Sequence, residues 1–239
     1  MTMSPARTPH IARQLRRGGV LLAAAALALG LSGCGASTPE PAASPAGAAP
    51  AAPVEMRVGA EPGAAGVPDV EIYADYACHW CAAMDIAVSD YLDRAVADDA
   101  ISLRYHPVAI LGGADSLSRN GVAVAGCVAD ADVTAFPAFH NAMFHAQDPD
   151  NMRDIPVSEM LTFAENAGVL DMDGVRSCVQ AGTYLPWAEA QAELARTQPL
   201  PGTGSPLKSV PTILVNGEAY SGSPLEVNEL RAFIESHAS

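Results

Sequence analysis

Basic charge is scarce in this chain. Thirteen Lys and Arg stand against 27 Asp and Glu over 239 residues, a formal charge of −14. That balance argues against a nucleic-acid partner, because phosphates require a basic footprint. Aromatic residues make up 5% and charged residues 17%. No internal repeat is found. The apolar run Val20–Leu31 is 12 residues long, too short to span a bilayer comfortably as a permanent helix. The length suits one ordinary domain with room for extras, large enough to bury a core without metal or disulfide staples. Cysteine is sparse and odd in number, at five.

The N-terminal region reads as an address. Arg13, Arg16 and Arg17 precede the Val20–Leu31 run, the pattern of a signal peptide. Leu31-Ser32-Gly33-Cys34 looks like a bacterial lipobox, which marks Cys34 for lipidation and residues 1–33 for removal. The alternative is an ordinary secretory peptide with an incidental cysteine. Removal leaves nine Lys and Arg against 27 Asp and Glu, a net −18. Anionic lipids do not hold such a surface, so the lipid itself must be the anchor in the membrane. Residues 34–53 are rich in Ala and Pro and read as a tether. Residues 54–239 are then the folded part.

In that part, Val54–Val58 alternates as an edge strand and Val70–Ala74 reads as a short, half-buried strand. Met84, Val88, Tyr91, Leu92 and Val96 recur at helical spacing, so a helix begins around Cys78. Ile101–Tyr105 alternates again, which completes a βαβ unit. Leu117 to Thr197 is helical in pattern, with breaks at Asp148-Pro149 and Leu185-Pro186. Val210–Val215 reads as a strand, Asn216-Gly217 as a hairpin turn and Leu225–Ile234 as a last helix.

Cys78-x-x-Cys81 sits where a strand ends and a helix begins. The free N–H groups and positive dipole of a first helical turn stabilise a thiolate on Cys78. Cys81, one turn later, is close enough to close a disulfide and is the more buried partner. Two other readings stand beside a redox pair. A zinc site needs a second pair of ligands. However, Cys127 and Cys178 are isolated, and the five-residue spacing of His140 and His145 does not set them cleanly on one helical face. A structural disulfide over so short a loop constrains the unfolded chain very little. No metal site and no cofactor is expected.

The segment Asp75-Tyr76-Ala77-Cys78-His79-Trp80-Cys81 resembles the active-site stretch of thioredoxin-fold proteins of the DsbA type. Ser209-Val210-Pro211-Thr212 lies where that family has its cis-proline loop, and Phe136–Phe144 is similar to the start of its inserted helical domain. The resemblance covers roughly Val67 to Glu235. It implies an α/β thioredoxin fold with an inserted all-helical domain at about 112–198. It also implies an extracytoplasmic enzyme that introduces disulfides into exported proteins with free cysteines, and a quinone-linked membrane partner that reoxidises it.

Several residue roles follow from the same resemblance. Cys78 is the nucleophile and Cys81 its partner. Val210 offers backbone groups to an extended substrate, and Pro211 packs against the redox pair. Valine before the proline is similar to the family's oxidases, whereas its isomerases favour threonine. The dipeptide departs from the familiar Pro-His. His79 lends positive charge only when protonated, and Trp80 shields Cys81 or forms part of an apolar substrate surface. The redox potential therefore stays open over roughly 150 mV. Asp75 is either a proton acceptor for Cys81 or a cap of the following turn. With Cys34 lipidated, Cys127 and Cys178 are either free thiols or a second, structural disulfide of the kind some relatives have. Such a bridge would contribute about 4 kcal/mol. A reductase, an isomerase or a metal- or protein-binding lipoprotein remain the alternatives. The Pro/Gly-rich stretch Pro199–Pro206 reads as a border of the substrate groove or a spacer.

Overall fold

In the computed structural model, residues 55–238 are described. The signal segment 1–33, the lipidation site Cys34 and the tether 34–53 lie outside the described residues. Among those described, no helix is long and apolar enough to cross a membrane.

A five-stranded sheet carries the site. Its strands are β1 (Arg57–Gly59), β2 (Asp69–Ala74), β3 (Ser102–Pro107), β4 (Thr212–Val215) and β5 (Glu218–Ala219), in the order β1-β3-β2-β4-β5. β2 and β3 run parallel, with Ile72 opposite Tyr105, and helix α1 (His79–Ala97) connects them. β4 lies antiparallel on the other side of β2, with Ile213 opposite Ile72. β2 is thus the central strand. Val70, Ile72 and Ala74 join the main core, while Tyr73 joins a smaller cluster with Val108, Ala195, Leu200, Leu207 and Leu214. The expectation of a half-buried strand is corrected: Val70 to Ala74 are all buried, because both faces are covered.

Five helices follow β3: α2 (Leu117–Ala131), α3 (Phe136–His145), α4 (Val157–Asn166), α5 (Met172–Ala181) and α6 (Leu185–Thr197). The last helix is α7 (Val227–Ser236). Asp148-Pro149 falls in a true break, between α3 and α4. Leu185-Pro186 does not. It opens α6, where a proline's missing N–H costs nothing. The stop is Gly182, at φ 63°, which caps α5 in the left-handed conformation. The Asn216-Gly217 turn has φ of 49° and 80°, as a tight hairpin requires.

The Pro/Gly-rich stretch after α6 is a folded cover. Leu200 and Leu207 are buried against the sheet face opposite α1, and the Leu207 N–H donates to the Ala195 carbonyl at 2.8 Å. Gly202, at φ 73°, approaches Gly217 so closely that a Cβ would stand 2.4 Å from its carbonyl oxygen.

Gly121 of α2 faces Tyr76, just ahead of the cysteine pair, and a Cβ there would stand 2.8 Å from the Tyr76 ring. Tyr76 is fully buried and its hydroxyl is bonded to His140, so the ring has little room to yield. Overpacking costs about 1–3 kcal/mol, more than the ~1 kcal/mol that alanine gains over glycine in a helix. Gly121→Ala is therefore expected to lower stability by about 1 kcal/mol in urea titration.

Candidate active site

The chain leaves β2 at Ala74 and turns at Asp75, whose backbone carbonyl accepts the Cys78 N–H at 2.9 Å. Cys78 is the N-cap of α1. Its backbone is extended (φ −92°, ψ 116°), and its sulfur accepts the Cys81 N–H at 3.3 Å. The sequence thus puts a sulfur where Ser, Thr or Asp usually supplies an oxygen. Cys78 and Cys81 are free thiols, 5% and 0% exposed.

Their environments divide the pair. The Cys81 thiol and the N–H groups of Cys81 and Trp80 donate to the Cys78 sulfur. Against burial and the negative charge of Asp75, they bring Cys78 down to about 7. Burial drives Cys81 the other way, far above the ordinary thiol range, and proximity to the Cys78 thiolate adds to the rise. Cys78 is thus the sulfur of the pair that ionises first as pH rises. Alkylation of reduced protein by iodoacetamide is accordingly expected to rise with pH and level off above a midpoint near 7, with Cys81 unmodified. A midpoint near 8.5 would mean that the helix terminus does nothing for the sulfur.

The Val210–Pro211 bond is cis, and the Cys78 thiol donates to the Val210 carbonyl at 3.6 Å. His79 and Trp80 are exposed, Trp80 at 53%, with ring centroids 5.0 Å apart. Leu111, also 53% exposed, adds a second large apolar side chain to the loop after β3. Asp75 holds that loop. Its carboxylate is fully buried and accepts from the N–H groups of Ala77 (2.9 Å), Ile110 (2.8 Å) and Leu111 (2.9 Å) and from the Ser118 hydroxyl (2.6 Å).

Cys127 of α2 and Cys178 of α5 are bonded, with Cα atoms 5.9 Å apart. They lie in the helical region and not beside the redox pair.

One buried cluster was missed by the sequence reading. Asp85 follows Cys81 by one turn on the buried side of α1. Both histidines of α3 reach it: His145 Nε2 lies 3.2 Å from Oδ1, and His140 Nε2 lies 3.8 Å from Oδ2. Spacing on a single helix is not what joins them, because the shared carboxylate comes from α1. The available signal was an acid at position 85 within the apolar stripe of that helix. His140 donates to or accepts from the Tyr76 hydroxyl at 3.0 Å, and burial holds its ring down to about 3, hence neutral. Contact with Asp85 raises His145, and burial raises Asp85 itself. Among the described residues no group of three His, Cys, Asp or Glu has the arrangement to hold a metal ion.

A strand-to-helix turn with a divided cysteine pair, faced by a cis-proline loop, defines a thioredoxin-fold dithiol site. The thioredoxin family model matches residues 53–236, and the chain belongs to that family. Among solved structures, a disulfide bond oxidoreductase (DsbG) from Mycobacterium tuberculosis in its reduced form is 26% identical. The match covers 78% of this chain and 88% of that one, with a TM-score of 0.63. DsbA of Mycobacterium tuberculosis in its reduced form is 25% identical, over 77% of this chain and 97% of that one, at TM-score 0.59. A thiol-disulfide oxidoreductase (MdbA) from Actinomyces oris shares the fold at 21% identity and TM-score 0.60, over 75% and 86% of the two chains. No curated protein gives a significant match.

Proposed function

We propose that this chain is an exported, lipid-anchored thiol–disulfide oxidoreductase that passes the Cys78–Cys81 disulfide to exported proteins with free cysteines. The observation that carries the reading is the division of the pair: one thiol brought to about 7 at a helix N-terminus, the other buried and held protonated. A substrate thiolate attacks Cys78 Sγ, the Cys78–Cys81 bond breaks, and Cys81 leaves as a thiolate that takes up a proton. A second substrate thiolate then attacks the substrate sulfur of the mixed disulfide and releases the Cys78 thiolate. The substrate loses two electrons and the enzyme gains them, so a membrane redox partner must reoxidise it. Cysteine sulfur alone carries this chemistry, with no cofactor.

The Val210 carbonyl, already 3.6 Å from Cys78 Sγ, would then receive the backbone of the substrate segment, with Pro211 behind it and Trp80 beside it. Asp75 Oδ1 accepts only one of the four hydrogen bonds to its carboxylate. It is the oxygen with capacity to exchange a proton with Cys81 when the pair opens and closes. Signal peptide 1–33 would direct export and be removed; lipidated Cys34 and tether 34–53 would then hold domain 54–239 outside the membrane near that partner.

A thiol near 7 also favours a second reading, because it adds little oxidising power at neutral pH. A reductase would use the same pair with the opposite net flow, and an isomerase would use it with no net flow. Cys81→Ser tests the enzymatic reading common to both. Expressed with its signal, the variant should accumulate covalent adducts with exported proteins that dithiothreitol releases, and the Cys78→Ser/Cys81→Ser double variant should accumulate none. Absence of adducts from the single variant would contradict it and favour a protein that binds without exchange.

A further inference from the structure

Positive side chains are few and unevenly engaged. Residues 55–238 contain nine Lys and Arg. Arg57, Arg104, Arg119, Arg153 and Arg176 are each in ion pairs with nearby acids. Arg94, Arg196, Lys208 and Arg231 have no carboxylate partner among the described residues. Two of these four are far from the cysteines. Arg94 is in the last turn of α1 and Arg231 stacks on Tyr91 of the same helix. At 1.5 Å per residue they stand about 20 Å or more along α1 from Cys78.

The other two are at the redox end. Lys208, exposed, is two residues before Val210, whose carbonyl meets Cys78 Sγ. Arg196, also exposed, donates to the Ile110 carbonyl at 2.7 Å, on the loop that Asp75 anchors. The Leu207–Ala195 backbone bond draws together the segments that carry them. Arg196 therefore gives its hydrogen bond to a neutral acceptor and forms no ion pair among the described residues. Glu193, one turn earlier on α6, does not reach it, and Glu189 is taken by Arg119.

On the reading of the site as a dithiol exchanger, we propose that Arg196 and Lys208 make its Val210 side selective for acidic segments. The preferred substrate is an extended peptide with Asp or Glu beside the reacting cysteine. Long-range charge works against such a substrate, since acids outnumber bases two to one over the whole chain. At physiological salt, however, exposed charges beyond about 8 Å are largely screened. Lys208 and Arg196 then act at short range on a peptide along the Val210 segment, while the Asp75 carboxylate is buried and held by four hydrogen bonds. Exposed ion pairs are individually weak, so the expected preference is about three- to tenfold.

The test uses the full chain, oxidised, at 0.15 M salt. Two dithiol peptides differ only in having Glu or Lys on both sides of one cysteine, and the rate of peptide disulfide formation is followed. The Glu peptide should react about three- to tenfold faster, and the ratio should fall toward one at 1 M salt. Lys208→Gln should reduce the ratio and Lys208→Glu should invert it. Lys208 is exposed and unpaired, so neither change threatens the fold. Equal rates for the two peptides, or a ratio unmoved by Lys208→Glu, would overturn the proposal while leaving exchange activity intact. If neither peptide is oxidised, the exchange reading itself falls.

Discussion

Replacing Asp75 by Ala is expected to cost the protein about 4 kcal/mol of stability. Its carboxylate is fully buried and accepts four hydrogen bonds, three from N–H groups and one from a hydroxyl. Hydrogen bonds to a charged group are worth about 1.5–3 kcal/mol each, and a buried donor left without a partner costs about 1–3 kcal/mol. Partial rehydration of the Ile110–Leu111 loop keeps the sum well below four full penalties. The same change removes the anchor between the Ile110–Leu111 loop and the turn that leads into Cys78, so exchange should slow as well. Asp75→Asn separates the electrostatic part. The Asp75 charge opposes ionisation of both sulfurs, so its removal should move the Cys78 midpoint below 7. Urea titration and the alkylation profile measure the two effects. A stability loss under ~1 kcal/mol for Asp75→Ala would mean that the loop is held by something else.

Removing the Cys127–Cys178 bridge is the second large effect. The bond joins residues 51 apart, and closing a loop of that size lowers the entropy of the unfolded chain by about 4 kcal/mol at 25 °C. It ties α2 to α5, and Cys127 is buried in the core. Replacing both cysteines by Ala should lower stability by about 2–5 kcal/mol, with exchange through Cys78 retained at temperatures where the variant stays folded. Calorimetry and the peptide assay would show the separation. Loss of exchange in a fully folded double variant would tie this bridge to the redox chemistry.

Local chemistry was the legible part of the sequence. A cysteine at the last position before an amphipathic stretch marks a helix N-terminus. An Asn-Gly pair between two short alternating runs marks a hairpin, and residues 216 and 217 adopt the positive φ that it needs. Features set by packing from elsewhere in the chain were not legible. β2 reads as half-buried because Glu71 interrupts its apolar run, yet that carboxylate is covered and bonded to His106 at 2.7 Å. His140 and His145 do not suit one helical face, yet both meet Asp85 from a different helix. The Pro199–Pro206 stretch has the composition of a spacer, and only Leu200 within it and Leu207 just after it betray that it packs on the sheet. Asp75 stood three residues before Cys78 as a candidate acid, but nothing local marks it as the anchor of a loop 35 residues away.

The equilibrium of the Cys78–Cys81 couple with glutathione bears most directly on disulfide donation. Cys78 is lowered only to about 7, well short of the strongly acidic thiol that goes with the oxidising extreme of about −120 mV. Disulfide donation to unfolded exported chains predicts a potential of about −180 mV or above. A potential near −270 mV would contradict disulfide donation and make the protein a reductase.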